Sequence, residues 1–114
     1  MKKSHRPWGS YCVLLDEDSC KVKKICVNPG ECLSYQYHHK RSEDWIITKG
    51  SGIMRLDDDE FAVKVGSVIH IPKLSRHSIK NTEESELLEF VEVQTGEYFG
   101  EDDIVRLEDR YGRA

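Results

Sequence analysis

The chain has 114 residues, 38% of them hydrophobic and 33% charged, with a formal net charge of −4 at pH 7. That length predicts one domain, residues 1–114, and the acidic balance argues against a basic nucleic-acid face. No apolar run approaches the ~20 residues of a membrane-spanning helix, and MKKSHRPWGS has no apolar stretch behind its basic start, so the expectation is a cytoplasmic protein without a secretory leader.

Short strands separated by turns are predicted along most of the chain. Residues 10–15 are aromatic and aliphatic and stop at Asp16-Glu17-Asp18. Residues 21–27 alternate charged and apolar side chains and turn at Asn28-Pro29-Gly30. Further strands are expected at 32–39, 44–49, 53–56, 60–65, 68–71, 77–80 and 87–95, with a hairpin across Asp57-Asp58-Asp59. About nine strands at this spacing predict an all-β sandwich or barrel. The tail, 101–113, differs. Ile104, Val105, Leu107 and Tyr111 stand at rough helical spacing, with Asp102/Arg106 and Asp109/Arg113 at i, i+4, which predicts a short C-terminal helix or an arm on the barrel.

The four cysteines, Cys12, Cys20, Cys26 and Cys32, form no C-x-x-C pair. They are expected to be reduced thiols, with Cys12 and Cys26 packed in the core.

Two glycine-bracketed blocks carry the chemistry. One reads Gly30-x5-Gln36-x-His38-x4-Glu43-x6-Gly50, the other Gly66-x5-Pro72-x4-His77-x3-Asn81. Side chains alternate across a strand, so Gln36 and His38 share a face with Ser34, while Tyr35, Tyr37 and His39 point the other way. A turn through Lys40-Arg41-Ser42 is expected to return the chain at Glu43, and a turn entered at Pro72 delivers His77 from a later strand. Imidazole, carboxylate and carbonyl donors converging in a barrel mouth suit one divalent metal ion, with positions left for a small molecule. Without a thiolate, the set fits zinc, cobalt, manganese, nickel or iron. Taken singly, a strand histidine is more often a surface or satisfied core residue, and His5, His39 and His70 are read that way.

These blocks resemble the two motifs of the cupin superfamily, which implies a double-stranded β-helix, a small jelly-roll barrel. QYHHKRSEDW at 36–45 is similar to the QMHHHRAEHW-like segment of type II phosphomannose isomerases. RPWGSY at 6–11, KVKKICVNPGE from Lys21 and VEVQTGEYFGEDDIVRLEDRYGR at 91–113 extend the likeness over nearly the whole chain. The family domain is often fused behind a guanylyltransferase domain, for which 114 residues leave no room, so the resemblance implies a stand-alone isomerase domain.

The implied reaction is the metal-dependent interconversion of mannose 6-phosphate and fructose 6-phosphate. Gln36, His38, Glu43 and His77 would hold the metal. Arg41 would stabilise an oxyanion or bind phosphate, against the bland reading of a solvated turn arginine. The proton carrier is left open, with Lys24 or a metal-activated water as candidates, and phosphate contacts are open among Lys24, Lys73, Arg76, Arg106, Arg110 and Arg113. Trp8 and Tyr11 are candidate pocket walls. A non-catalytic sugar-binding module and a cupin enzyme acting on another small molecule remain as alternatives, and a homodimer is expected by analogy with the fold. The chain departs from the family pattern at Lys40, Asp44 and Leu74-Ser75, which suggests an altered sugar preference or a narrowed mouth.

Overall fold

A computed structural model describes residues 2–113. Its strands are β1 (Ser4–Arg6), β2 (Gly9–Asp16), β3 (Cys20–Val27), β4 (Tyr35–Tyr37), β5 (Arg41–Lys49), β6 (Ser51–Leu56), β7 (Asp59–Lys64), β8 (Val68–Ile71), β9 (His77–Asn81), β10 (Leu88–Gly96) and β11 (Val105–Glu108). They form two antiparallel sheets, ordered β1-β2-β3-β10-β5-β8 and β11-β4-β9-β6-β7. The described residues contain no helix, and so none long and apolar enough to cross a membrane.

Period-2 alternation explains the layering. In β5, Arg41, Glu43, Trp45 and Ile47 are buried while the residues between them are not. In β10, Leu88, Phe90, Glu92 and Gln94 are buried in the same rhythm. Facing inner sides of two sheets must fill one core, and Trp45, Ile47, Met54, Ile69, Ile71, Ile79, Leu88 and Phe90 do so. Trp45 and Phe90 stack at 4.2 Å between centroids. The expected hairpin is present. Leu56 pairs with Asp59, and Asp57 and Asp58 between them adopt φ of 47° and 73°, the left-handed pair that a two-residue turn matching strand twist requires.

Of the two forms expected for the tail, it takes the arm, and the arm carries a strand. β11 covers the open edge of β4, with Val105 opposite Tyr37 and Arg106 opposite Gln36, and the backbone groups of an edge strand outweigh a weak helical pattern. Asp102 accepts from Tyr98 instead of pairing with Arg106, whereas Asp109 and Arg113 do pair, at 2.7 Å, in the turn after β11. The expected strand at 32–39 narrows to β4 and an isolated bridge, Cys32 to Lys80. Cys12 and Cys26 are only partly buried, like the other two free thiols, because they occupy the outward phase of their strands, and Cys26 donates to Glu89.

Candidate metal centre

β4 and β5 meet at the turn His39–Lys40, and Asp103 of the arm ties that turn down. Its carboxylate accepts the backbone N–H groups of His39 and Lys40 at 3.0 and 2.9 Å, and despite the penalty of burial those donors hold its pKa below the usual carboxylate value. The turn fixes His38 on one side and Arg41 on the other. Arg41 is therefore an inward strand residue, 7% exposed, and not the turn residue the sequence suggested. His38 is also pinned from β9's side, where Leu74 N–H donates to its carbonyl at 2.9 Å.

His38, Glu43 and His77, all buried, bring ligand atoms within 4.8 Å of one another. The two imidazoles meet edge to face at 5.2 Å. Glu43 is 2% exposed; its Oε1 accepts from Trp45 Nε1 at 3.0 Å and its Oε2 from Arg41 Nε at 2.8 Å. His38 Nε2 lies 3.2 Å from that same Oε2. Burial opposes the charge on Glu43, but His77, Arg41 and His38 hold its carboxyl well below the ordinary range. Burial lowers His38 to about 4, so it is neutral at pH 7. His77 directs Nδ1 to the Ser75 carbonyl at 2.9 Å. In that bond Nδ1–H donates, which turns Nε2 toward Glu43 Oε1, 3.8 Å away.

Gln36 sits directly across from His77 in the β4–β9 register and lines the same cavity as Ser34, His38 and Glu43. Its Oε1 and His77 Nε2 are buried without a hydrogen-bond partner. Buried polar atoms are almost always satisfied. Two such orphans, beside an ionised carboxylate and the His38 Nε2 that faces it, fit a divalent cation in chemical type. Arg41 Nη2 lies 3.0 Å from His38 Nε2, so the guanidinium contacts both His38 and Glu43.

Trp8, Tyr11, Arg6, Lys23, Arg106 and Arg113 also line the cavity. Of the other cations weighed from sequence, Lys24 pairs with Glu89 on the outer face, Lys73 with Glu97, Arg76 with Asp58 and Arg110 with Glu31. Lys23, not Lys24, faces inward, in phase with the buried Ile25 and Val27. Sequence reasoning also missed Glu92, 4% exposed and in phase with Phe90; strand phase was the signal for both. His5, His39 and His70 are exposed, as read.

The departures from the family pattern lie outside the cavity. Lys40 is exposed over Tyr98, and Asp44 pairs with His70 at 2.7 Å on the outer face. Leu74 is 57% exposed with φ of 67°, so it strains a turn and does not narrow the mouth.

Two antiparallel sheets closed around inward-facing histidines and a carboxylate define a cupin. The family model described as Mannose-6-phosphate isomerase C-terminal matches residues 1–109, and the chain belongs to that family. It is 44% identical over 110 residues to the alginate biosynthesis protein AlgA of Pseudomonas syringae, a match that covers 96% of this chain and 23% of that protein. It is 39% identical over 113 residues to the mannose-1-phosphate guanylyltransferase of Escherichia coli, covering 99% and 23%. The chain thus spans about a quarter of the length of these relatives. Among solved structures, the capsular polysaccharide assembling protein CapF of Staphylococcus aureus superimposes with a TM-score of 0.75 at 22% identity, covering 95% of this chain and 34% of that one. A cupin-2 domain from Rhodospirillum rubrum does so at 0.71 and 22%, covering 82% and 67%. At that identity the structural likeness speaks to the fold.

Proposed function

We propose that this phosphomannose isomerase-type cupin domain catalyses the metal-dependent interconversion of mannose 6-phosphate and fructose 6-phosphate. The observation that carries the reading is the convergence of His38, Glu43 and His77 within 4.8 Å, with His38 and Glu43 lining a cavity to which Trp8, Tyr11, Arg106 and Arg113 also contribute. Gln36 completes the ligand set through its unpartnered Oε1. A divalent ion held by these residues would supply Lewis-acid polarisation of a carbonyl and stabilisation of enediolate charge.

The remaining work falls to this chain's own side chains. Arg41, held beside the cluster by its bond to Glu43, would present a planar fork to a developing oxyanion. Its Nη1 and Arg106 Nε are buried donors without a partner, as an anionic substrate requires. Trp8 and Tyr11 supply flat apolar walls for a sugar. Pairing of two copies through a sheet edge belongs to the same proposal, and light scattering tests it; a monomer mass at micromolar concentration refutes it.

The test is to load the purified chain separately with zinc, cobalt, manganese, nickel and iron(II), measure bound metal by mass spectrometry, and assay conversion of mannose 6-phosphate. Near-stoichiometric metal and turnover are expected. His38→Ala and His77→Ala should each lose metal retention and turnover. Full metal and activity in both variants would refute the site; a metal-replete wild type that binds sugar phosphate without converting it would refute the enzyme.

A further inference from the structure

β10 lies between β3 and β5, and the registers place Lys23, Glu92 and Trp45 in one row, with Lys21, Gln94 and Glu43 in the next. Lys23, Glu92 and Gln94 are buried on the inner side of the sheet, and Lys23 and Glu92 line the cavity that holds the ligand cluster. Among the described residues, Glu92 receives one hydrogen bond, from Gln94 Nε2 at 2.5 Å, and forms no ion pair. Lys23, its partner in the β3–β10 register, is committed elsewhere. Its ammonium bonds Glu101 at 2.7 Å and sits 4.3 Å over the Tyr11 ring.

Such a placement is costly. A buried carboxyl without a cation lowers stability however it resolves its charge, and glutamine would occupy the same volume without that cost. The packing uses the shape of Glu92 but not its acidity. The groups that face it are Lys23 from β3, Arg41 and Glu43 from β5 and Gln94 on its own strand. Burial first, and the charge of Glu43 second, raise its proton affinity well above that of an ordinary carboxylate. Unexplained acidity in a cleft points to chemistry.

We propose that Glu92 is the proton carrier of the isomerisation, an inference that rests on the isomerase reading above. The Glu92 carboxylate takes the C2 proton of the open-chain aldose phosphate. The C2–H electron pair becomes the C1=C2 bond, and the C1 carbonyl π pair moves onto O1. The O2 hydroxyl proton then passes to O1, the O2–H pair forms the C2 carbonyl, and the C1=C2 π pair takes the proton back from Glu92 at C1. Nothing is gained or lost, and Glu92 ends as it began. The bond of Lys23 to Glu101 ties the arm to β3.

The experiment uses the metal-loaded full chain and Glu92→Gln. Three readouts are taken: kcat and KM, wash-in of solvent deuterium at C2 of mannose 6-phosphate, and affinity for a sugar-phosphate hydroxamate that mimics the enediolate. Expected are a loss of roughly 100-fold or more in kcat and in deuterium wash-in, with KM, hydroxamate affinity and bound metal within about threefold of wild type. A Glu92→Gln chain that keeps its turnover overturns the inference and leaves the isomerase reading intact. One that loses metal or hydroxamate binding also overturns it, since the role is then structural. A wild type that neither exchanges nor isomerises overturns both. If Glu92→Gln fails to fold, Glu92→Asp decides: reduced kcat at unchanged KM is expected, and raised KM at unchanged kcat overturns the proposal.

Discussion

Gly96 couples the fold to the site, and replacing it with alanine tests that coupling. It closes β10 directly opposite Arg41 of β5, with φ of +145°. A Cβ built there lies 2.3 Å from the Lys40 carbonyl oxygen and 2.9 Å from Arg41 Cα. Both are backbone atoms, so no flexible side chain can yield. Backbone strain costs about 1–3 kcal/mol, and relieving an overpacked contact about 1–3 kcal/mol more. Gly96→Ala should therefore destabilise by roughly 2–6 kcal/mol, a large share of the stability of a small domain. Gly30→Ala is the matched control. Its φ is +74°, and a Cβ there meets nothing within 4 Å, so only the left-handed backbone penalty of about 1 kcal/mol remains. Urea unfolding gives both values. Because the relief must move Lys40 and Arg41, Gly96→Ala should also weaken metal binding by tenfold or more, read by titration against a chelator. A Gly96→Ala chain no less stable than Gly30→Ala, with wild-type metal affinity, would refute the reasoning.

Leu74→Gly should stabilise by about 0.5–1 kcal/mol, since it removes an exposed side chain from a left-handed position at little loss of burial; an unchanged urea midpoint would contradict this. Asn81→Ala should cost about 3 kcal/mol in the same assay, because Asn81, fully buried, donates to the Val27 and Glu86 carbonyls and accepts from Glu83 N–H; a loss under 1 kcal/mol would show that water replaces it. In chelator-treated protein, Glu92→Gln should gain stability over wild type as pH rises from 5 to 8. The folded-state pKa of Glu92 is raised, so its favourable contribution is complete below the unfolded value and is lost as pH climbs through the folded one, a loss glutamine escapes; a flat difference would refute it. Within Glu92→Gln, His38 runs the other way. Its folded pKa is lowered to about 4, so its contribution is present above the unfolded value and fades as pH falls, by about 1.5 kcal/mol between pH 6.5 and 5. Histidine NMR titration, with one imidazole near 4, checks the cause.

The strands and the convergence of His38, Glu43 and His77 were legible because both rest on local rules. Alternation put Gln36 and His38 on one face, and glycine and proline marked the turns. Arg41 was misplaced because Lys40-Arg41-Ser42 reads as a polar turn. What shortens that turn is Asp103, which lies on the far side of the chain in sequence and binds the His39 and Lys40 amides. The strand within the arm was not legible for a related reason: 105–108 becomes a strand only because β4 offers an edge. Lys23 and Glu92 were hidden by an assumption rather than by distance. Charged residues in a strand are read as outward, yet each stands in phase with apolar neighbours that must be inside, Lys23 with Ile25 and Val27, Glu92 with Leu88 and Phe90.

That phase violation bears on how the two halves of the barrel divide their labour. One half is apolar and tightly packed. The other concentrates Arg41, Glu43, Glu92 and Lys23 in buried positions that hydrophobic residues would fill at lower cost. Trp45 stands at the boundary. One face of its indole stacks on Phe90 at 4.2 Å, its Nε1 donates to Glu43 at 3.0 Å, and its ring meets His77 at 5.7 Å, nearly perpendicular. A ligand whose rotamer is locked by packed neighbours loses little entropy when it binds. The apolar half therefore does more than stabilise the fold. Through Trp45 it holds a carboxylate and an imidazole in the positions a cation would need.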